Sequence, residues 1–154
     1  MNRPTWDEYF ISIVDAVSQR ATCDRGKSAC VITLDNRILS TGYVGAPAGL
    51  PSCSDVGHLL REVKYEDGSV KQHCVRTIHA EQNAIVYAAR YGVSIAGATL
   101  YSTMVPCYSC AMLIIASGIK RVVAKNEYQS ANQTKEMFSQ AGIELLVLNN
   151  DLCY

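Results

Sequence analysis

Apolar residues return every three to four positions over 6–20, which predicts an amphipathic helix with Tyr9, Ile13, Ala16 and Val17 on its packed face. The period then shortens. Residues 28–34 and 37–43 read as two strands, and Asp35-Asn36 between them suits a hairpin turn. After Gly42 the pattern breaks down into Gly45-Ala46-Pro47-Ala48-Gly49-Leu50-Pro51, and an irregular stretch follows to about 77, interrupted at most by a short helix near 56–63. A segment of that length inside a compact chain is expected to be functional or to be held by something. Regular patterning resumes with a helix from about 78 to Tyr91-Gly92, carrying His79, Glu81, Asn83, Ala84, Ile85 and Ala88. A strand over 98–103 leads to a helix that begins at Cys107, runs through Met112 and Ile115 and stops at Gly118. A strand over 120–124, a helix over 130–141, Gly142 and a strand over 143–148 complete the order. This succession predicts an α/β fold, a three-layer α-β-α sandwich around one mixed five-stranded sheet. The expected organisation is a single domain over 1–154 with an insertion at about 44–77.

Composition narrows the function. With 154 residues and 49% hydrophobic content, the chain can bury a core without disulfides. A formal net charge of zero argues against a nucleic-acid polymer as partner, because proteins that track phosphate backbones carry a basic stripe. Residues 1–30 lack a charged-then-apolar leader pattern and no apolar run reaches the length of a membrane span, so a cytoplasmic protein without a membrane partner is expected. Seven cysteines in a reducing compartment then point to metal binding.

Two short stretches carry the chemistry, His79-Ala80-Glu81 and Pro106-Cys107-Tyr108-Ser109-Cys110. A catalytic zinc takes three imidazole or thiolate ligands and keeps a fourth position for water. His79, Cys107 and Cys110 make such a set. Two cysteines three residues apart at a helix start share one face, Pro106 suits that start, and the helix N-terminus favours thiolates. Glu81 follows His79 by two residues, need not join the metal, and is free to carry protons. The combination matches the signature of zinc-dependent nucleobase deaminases. A second group, Cys23, Cys53, His58, His73 and Cys74, clusters around the irregular stretch with enough soft ligands for a tetrahedral structural zinc. The preferred set is Cys23, Cys53, His58 and Cys74, with His73 as the alternate to His58. Buried thiols and surface histidines are the plainer alternative. Cys30, in an apolar strand, and Cys153, at the tail, are left without a metal.

Together with Trp6-Asp7-Glu8-Tyr9-Phe10, Arg20-Ala21-Thr22-Cys23, Thr41-Gly42-Tyr43, Ala46-Pro47-Ala48-Gly49-Leu50 and Cys74-Val75-Arg76-Thr77-Ile78-His79-Ala80-Glu81, these motifs make nearly the whole chain resemble the deoxycytidylate deaminases of the cytidine deaminase superfamily, in their two-zinc bacterial, archaeal and phage branch. The resemblance implies a cytidine deaminase-like fold and hydrolytic conversion of dCMP to dUMP with release of ammonia. It also implies homo-oligomers, hexamers or dimers, with dCTP and dTTP as effectors. Carried over by residue, it places the catalytic zinc on His79, Cys107 and Cys110 and the proton shuttle on Glu81. The Ala80 N–H would meet the pyrimidine edge, Tyr128 would line the nucleotide pocket, and the structural zinc would fall on Cys23, Cys53, His58 and Cys74.

One position departs from the pattern. Where the family usually has Gly-Tyr-Asn-Gly, this chain reads Gly42-Tyr43-Val44-Gly45. Valine has no donor or acceptor, so a contact worth about 1.5–3 kcal/mol to a charged group is absent. Either other groups take over, with Arg25 and Lys27 as candidates to attract phosphate, or the substrate differs from dCMP. The alternatives are therefore another cytosine nucleoside, nucleotide or modified dCMP, then a deaminase of tRNA or single-stranded DNA, and lastly a zinc module without catalysis.

Overall fold

The computed structural model describes residues 1–65 and 67–153, the side chains of 151–153 excepted. Twelve elements follow in chain order: α1 (Trp6–Ser18), β1 (Ala29–Leu34), β2 (Arg37–Tyr43), α2 (Cys53–Val56), β3 (Leu60–Lys64), β4 (Val70–Cys74), α3 (Ala80–Tyr91), β5 (Thr99–Met104), α4 (Tyr108–Ala116), β6 (Arg121–Tyr128), α5 (Asn132–Ala141) and β7 (Glu144–Cys153). Five strands form one mixed sheet in the order β2-β1-β5-β6-β7. The β2, β1 and β5 pairings are antiparallel, whereas β5, β6 and β7 run parallel. This is the expected α/β sandwich with a central mixed sheet.

Period-two alternation in the central strands divides the core. Cys30, Ile32, Leu100 and Val122 point to one face, where Ala80, Ala84 and Ala88 of α3, Ala111 and Ile114 of α4 and Phe138 of α5 cover them. Val31, Tyr101 and Val123 point to the other, against Phe10, Ile11 and Val14 of α1. The packed face of α1 agrees with the expected one at Ile13 and Val17, which are half-buried against this cluster, and differs at Tyr9 and Ala16. Tyr9 is 44% exposed and Ala16 is exposed too, because the large Phe10 and Val14, four residues apart, claim the groove over β1 and β5. α1 starts where Thr5 and Glu8 close a reciprocal capping box, and it is tied to the sheet by Asp7, which accepts two bonds from Arg121 at 2.7 and 2.8 Å and one from the Tyr101 hydroxyl at 2.9 Å.

The β1–β2 hairpin turns on Asp35 and Asn36, both with positive φ of 50° and 60°, the geometry that matches strand twist in two-residue turns. The stretch expected to be irregular is more ordered than that. In place of a helix near 56–63 there is the short α2, then a separate two-stranded sheet, β3–β4, paired from Leu60↔Cys74 to Lys64↔Val70. Its turn is closed by Gly68 at φ 83° with the Gly68 N–H donating to the Tyr65 carbonyl. β6 extends to Tyr128, so that residue ends a strand instead of following one. No described helix is long and apolar enough to cross a membrane.

Candidate metal centre and cleft

The N-termini of α3 and α4 meet beyond the carboxyl end of β5, the usual place for a site in an open sheet with parallel strands. His79 is the N-cap of α3 and Cys107 the N-cap of α4, so both ligands sit just outside the first turn while Ala80, Glu81 and Cys110 lie within it. Helix starts leave N–H groups without helical acceptors, and Ala80 occupies the first such position. Three contacts from the β1–β2 hairpin hold α3 in place. Ser40 donates to the Ala84 carbonyl at 2.8 Å, the Cys30 thiol to the Ala80 carbonyl at 3.3 Å, and the Asn83 amide to the Tyr43 carbonyl at 3.0 Å. Gly42 lets the strand come this close, since a Cβ there would lie 2.2 Å from the Ala80 carbonyl oxygen.

His79 Nδ1 stands 3.4 Å from Cys107 Sγ and 3.4 Å from Cys110 Sγ. Imidazole and thiolate ligands arranged tetrahedrally at 2.0–2.3 Å from a common centre are separated by about 3.3–3.8 Å, so this donor set fits one zinc with a position to spare. Cys107 and Cys110 shift in opposite directions. The Cys110 S–H, then the His79 ring, bring Cys107 down to about 3, while the neighbouring thiolate and burial push Cys110 far up. His79 is raised, chiefly by its contact with Cys107. Glu81 is 6% exposed and its carboxyl is raised above the ordinary value by burial, with His79 opposing the shift.

Cys23, Cys53, His58 and Cys74 form a second cluster, their ligand atoms all within 4.8 Å of one another. Cys23 Sγ lies 3.6 Å from His58 Nδ1 and Cys53 Sγ 3.5 Å from Cys74 Sγ, again the edges of a tetrahedron and here with four corners filled. Asp24 meets the other nitrogen of His58 at 3.0 Å and orients the ring. Burial raises Cys74, but the N–H groups of Arg76 and Leu59, with Cys53 and His58, more than offset it and leave it at about 6. Burial first, and then Cys74, push Cys53 to about 12. His73 lies outside this cluster. Its Nε2 is bonded to the Tyr65 hydroxyl at 2.6 Å, because β4 alternation sends adjacent Cys74 the other way. Cys30 is fully buried and outside both clusters, and the Cys153 side chain lies outside the described residues.

A cleft of about 390 Å3 runs between the two clusters, within the range of small-molecule sites. His79, Glu81 and Cys107 line one part of it and Cys23, Val44 and Cys74 another, with Tyr128 and Met104 also at its walls. Val44 is 7% exposed and packs against Cys23 and Cys53, so it belongs to the second cluster's apolar shell as well as to the cleft. Arg25 lines the cleft, whereas Lys27 is exposed and outside it. Lys71 and His73 of β4 also face the cleft and are legible only through the hairpin: the Asp67-Gly68 turn signal fixes the strand pair, and alternation then puts both on one side.

The chain matches the family described as the cytidine and deoxycytidylate deaminase zinc-binding region over residues 4–126. It is 46% identical over 132 residues to a deoxycytidylate deaminase of Mycobacterium phage D29, covering 82% of this chain and 99% of that one. It is 37% identical over 143 residues to ComE operon protein 2 of Bacillus subtilis, covering 93% of this chain and 71% of that one. Among solved structures, the dCMP deaminase of cyanophage S-TIM5 in complex with dCMP and dUMP superposes with a TM-score of 0.75 at 30% identity, covering 96% of this chain and 99% of that one.

Proposed function

Because the chain belongs to the cytidine and deoxycytidylate deaminase family, we propose that it deaminates dCMP to dUMP by hydrolysis, releasing ammonia. The observation that carries this reading is a buried carboxyl, Glu81, beside a three-ligand cluster with an open fourth position on the wall of a nucleotide-sized cleft. His79, Cys107 and Cys110 would hold the catalytic zinc, and Cys23, Cys53, His58 and Cys74 a structural one. Zinc, when bound, supplies the Lewis acidity that makes water a nucleophile near neutral pH. Glu81 takes a proton from the attacking water and delivers it to the ring nitrogen next to C4. It then moves the second proton to the departing amine, so that the C4–N bond breaks as the C4 carbonyl forms and ammonia leaves. Ala80, first in α3, presents its N–H to the pyrimidine edge, and Tyr128 closes the nucleotide side of the cleft.

The same reading takes the chain as one deaminase domain whose 44–77 insertion is held by metal. It includes assembly as a homo-oligomer in the cytoplasm, with dCTP and dTTP as effectors. Val44 remains the feature that favours a second reading, in which another cytosine compound is the substrate, because its side chain offers the nucleotide no hydrogen bond. Ammonia release from dCMP, cytidine, deoxycytidine, dCTP and 5-substituted dCMP, with and without dCTP as effector, separates the two. Turnover of dCMP above all others is expected. An inert dCMP beside a reactive second compound would transfer the assignment to that compound.

A further inference from the structure

Ala131, Thr134 and Phe138 turn inward at helical spacing along α5, and the middle one puts a hydroxyl into an apolar stripe. Thr134 is fully buried, where a valine would fill the same space with no polar group to satisfy. A threonine inside a helix can satisfy its hydroxyl on a carbonyl three or four residues back. Thr134 instead reaches out of its own helix and donates to the Pro106 carbonyl at 2.9 Å.

That carbonyl belongs to the peptide unit that carries the Cys107 nitrogen. The elbow from β5 into α4 is held residue by residue. The Asn126 amide donates to the Thr103 carbonyl at 3.2 Å, the Ser102 hydroxyl to the Met104 carbonyl at 2.7 Å, and the Val105 N–H to the Asn126 carbonyl at 3.1 Å. β5 and β6 make these contacts within the sheet. Pro106 has no N–H, so its carbonyl is the one hydrogen-bonding group by which it can be fixed, and α5 supplies the donor. The peptide is planar, so turning its carbonyl away would rotate Cys107 about φ, which is −69° at this N-cap, and carry the side chain with it. Cys107 Sγ would then leave its place 3.4 Å from His79 Nδ1. Thr134 itself is not among the residues lining the cleft.

We propose that Thr134 is a positioning residue of the three-ligand metal centre, its hydroxyl fixing the Pro106–Cys107 peptide and through it the Cys107 thiolate. The inference rests on the reading of His79, Cys107 and Cys110 as a zinc site and adds to it a residue that touches neither metal nor substrate. It also makes α5 part of the site. The Ala131 N–H, at the start of that helix, donates to the carbonyl of Tyr128 at 3.1 Å, so the helix that steadies Cys107 is tied to a wall of the cleft.

Zinc release from the loaded full chain to the chelating dye pyridylazoresorcinol tests this, with the four-ligand cluster as a control inside the same molecule. Thr134→Val keeps the shape and removes the donor, and it should weaken zinc binding at the three-ligand site by about 10–100-fold, seen as faster release, while the slower release from the four-ligand cluster is unchanged. Thr134→Ser keeps the hydroxyl and should restore most of the difference. On dCMP, Thr134→Val reloaded with zinc should lose kcat and keep its KM, because the side chain is off the cleft wall. Unaltered early release in Thr134→Val, or equal acceleration of both phases, overturns the proposal, the second result marking a role in stability alone. Release from Thr134→Ser as fast as from Thr134→Val overturns the part given to the hydroxyl. Where Thr134→Val does not fold, Thr134→Ala is read by the same two phases. Wild-type protein that holds no zinc at the three-ligand site overturns the metal reading and this inference together, whereas wild type with both phases and an indifferent Thr134→Val overturns this inference alone.

Discussion

Glu81 is held where a charge is costly and a proton is useful, in the first turn of α3 and out of solvent. Glu81→Gln keeps the size and hydrogen-bonding shape but cannot take a proton, so it should retain its zinc and lose about 10²–10⁴-fold in turnover. Metal analysis beside ammonia release checks this, and near-normal turnover would remove Glu81 from the chemistry. A second carboxylate acts on stability. The Arg121 guanidinium, with help from the Tyr101 hydroxyl and against partial burial, holds Asp7 below its ordinary value. A carboxyl whose folded value is depressed stabilises the fold fully above the unfolded value and loses that contribution as pH falls through the folded one. Melting temperature should therefore fall more steeply below pH 4 in wild type than in Asp7→Asn; parallel profiles would show that the pair contributes nothing. At this scale the sequence is informative where ligands are neighbours along the chain. His79 with Glu81 and Cys107 with Cys110 are read from spacing alone. The choice between His58 and His73 depends on which face of β4 each side of Cys74 turns to, and that is decided by strand pairing.

Among the elements, α3 is the one whose placement matters most, because its first turn carries Ala80 and Glu81 while its body rests on β2 and β1. Gly42→Ala would put a Cβ 2.2 Å from the Ala80 carbonyl oxygen and 2.7 Å from the Ala84 nitrogen, both backbone atoms that cannot swing aside. The helix must lift, and its first turn moves with it. A drop in kcat of about 100-fold, the scale of a 1 Å misplacement, is expected with a lowered melting temperature; wild-type kinetics in that variant would show that α3 is not set by this contact. The strands and helices of the sandwich are legible because buried β1, β5 and β6 leave short apolar runs and the helices end at Gly92, Gly118 and Gly142. β3 is not, since all five of its residues are exposed and no burial pattern marks it. The face of α1 is only half legible for a related reason: Tyr9 and Ala16 share a stripe with Ile13, which does pack on the sheet, but the groove takes the bulkier Phe10 in place of Tyr9.

For the whole molecule, the proposed function puts one zinc ion on each of the two ligand clusters, and the two would be of unequal standing. The four-ligand site has no open position and should hold its metal against a chelator longer than the three-ligand site, so metal content should fall from two to one as activity is lost, with melting little changed until the second ion leaves. Loss of both ions together, or a starting content of one, would contradict this. The positions of the clusters along the chain carry a further consequence for how the protein is made. All four ligands of the structural cluster precede residue 75, whereas Cys107 and Cys110 come later. At roughly 5–20 residues per second of synthesis, Cys110 emerges seconds after Cys74. If the second cluster holds a metal as proposed, the nascent chain can sequester Cys23, Cys53 and Cys74 before Cys107 and Cys110 exist. On the proposed function, the order of translation would leave fewer free sulfurs to compete for His79.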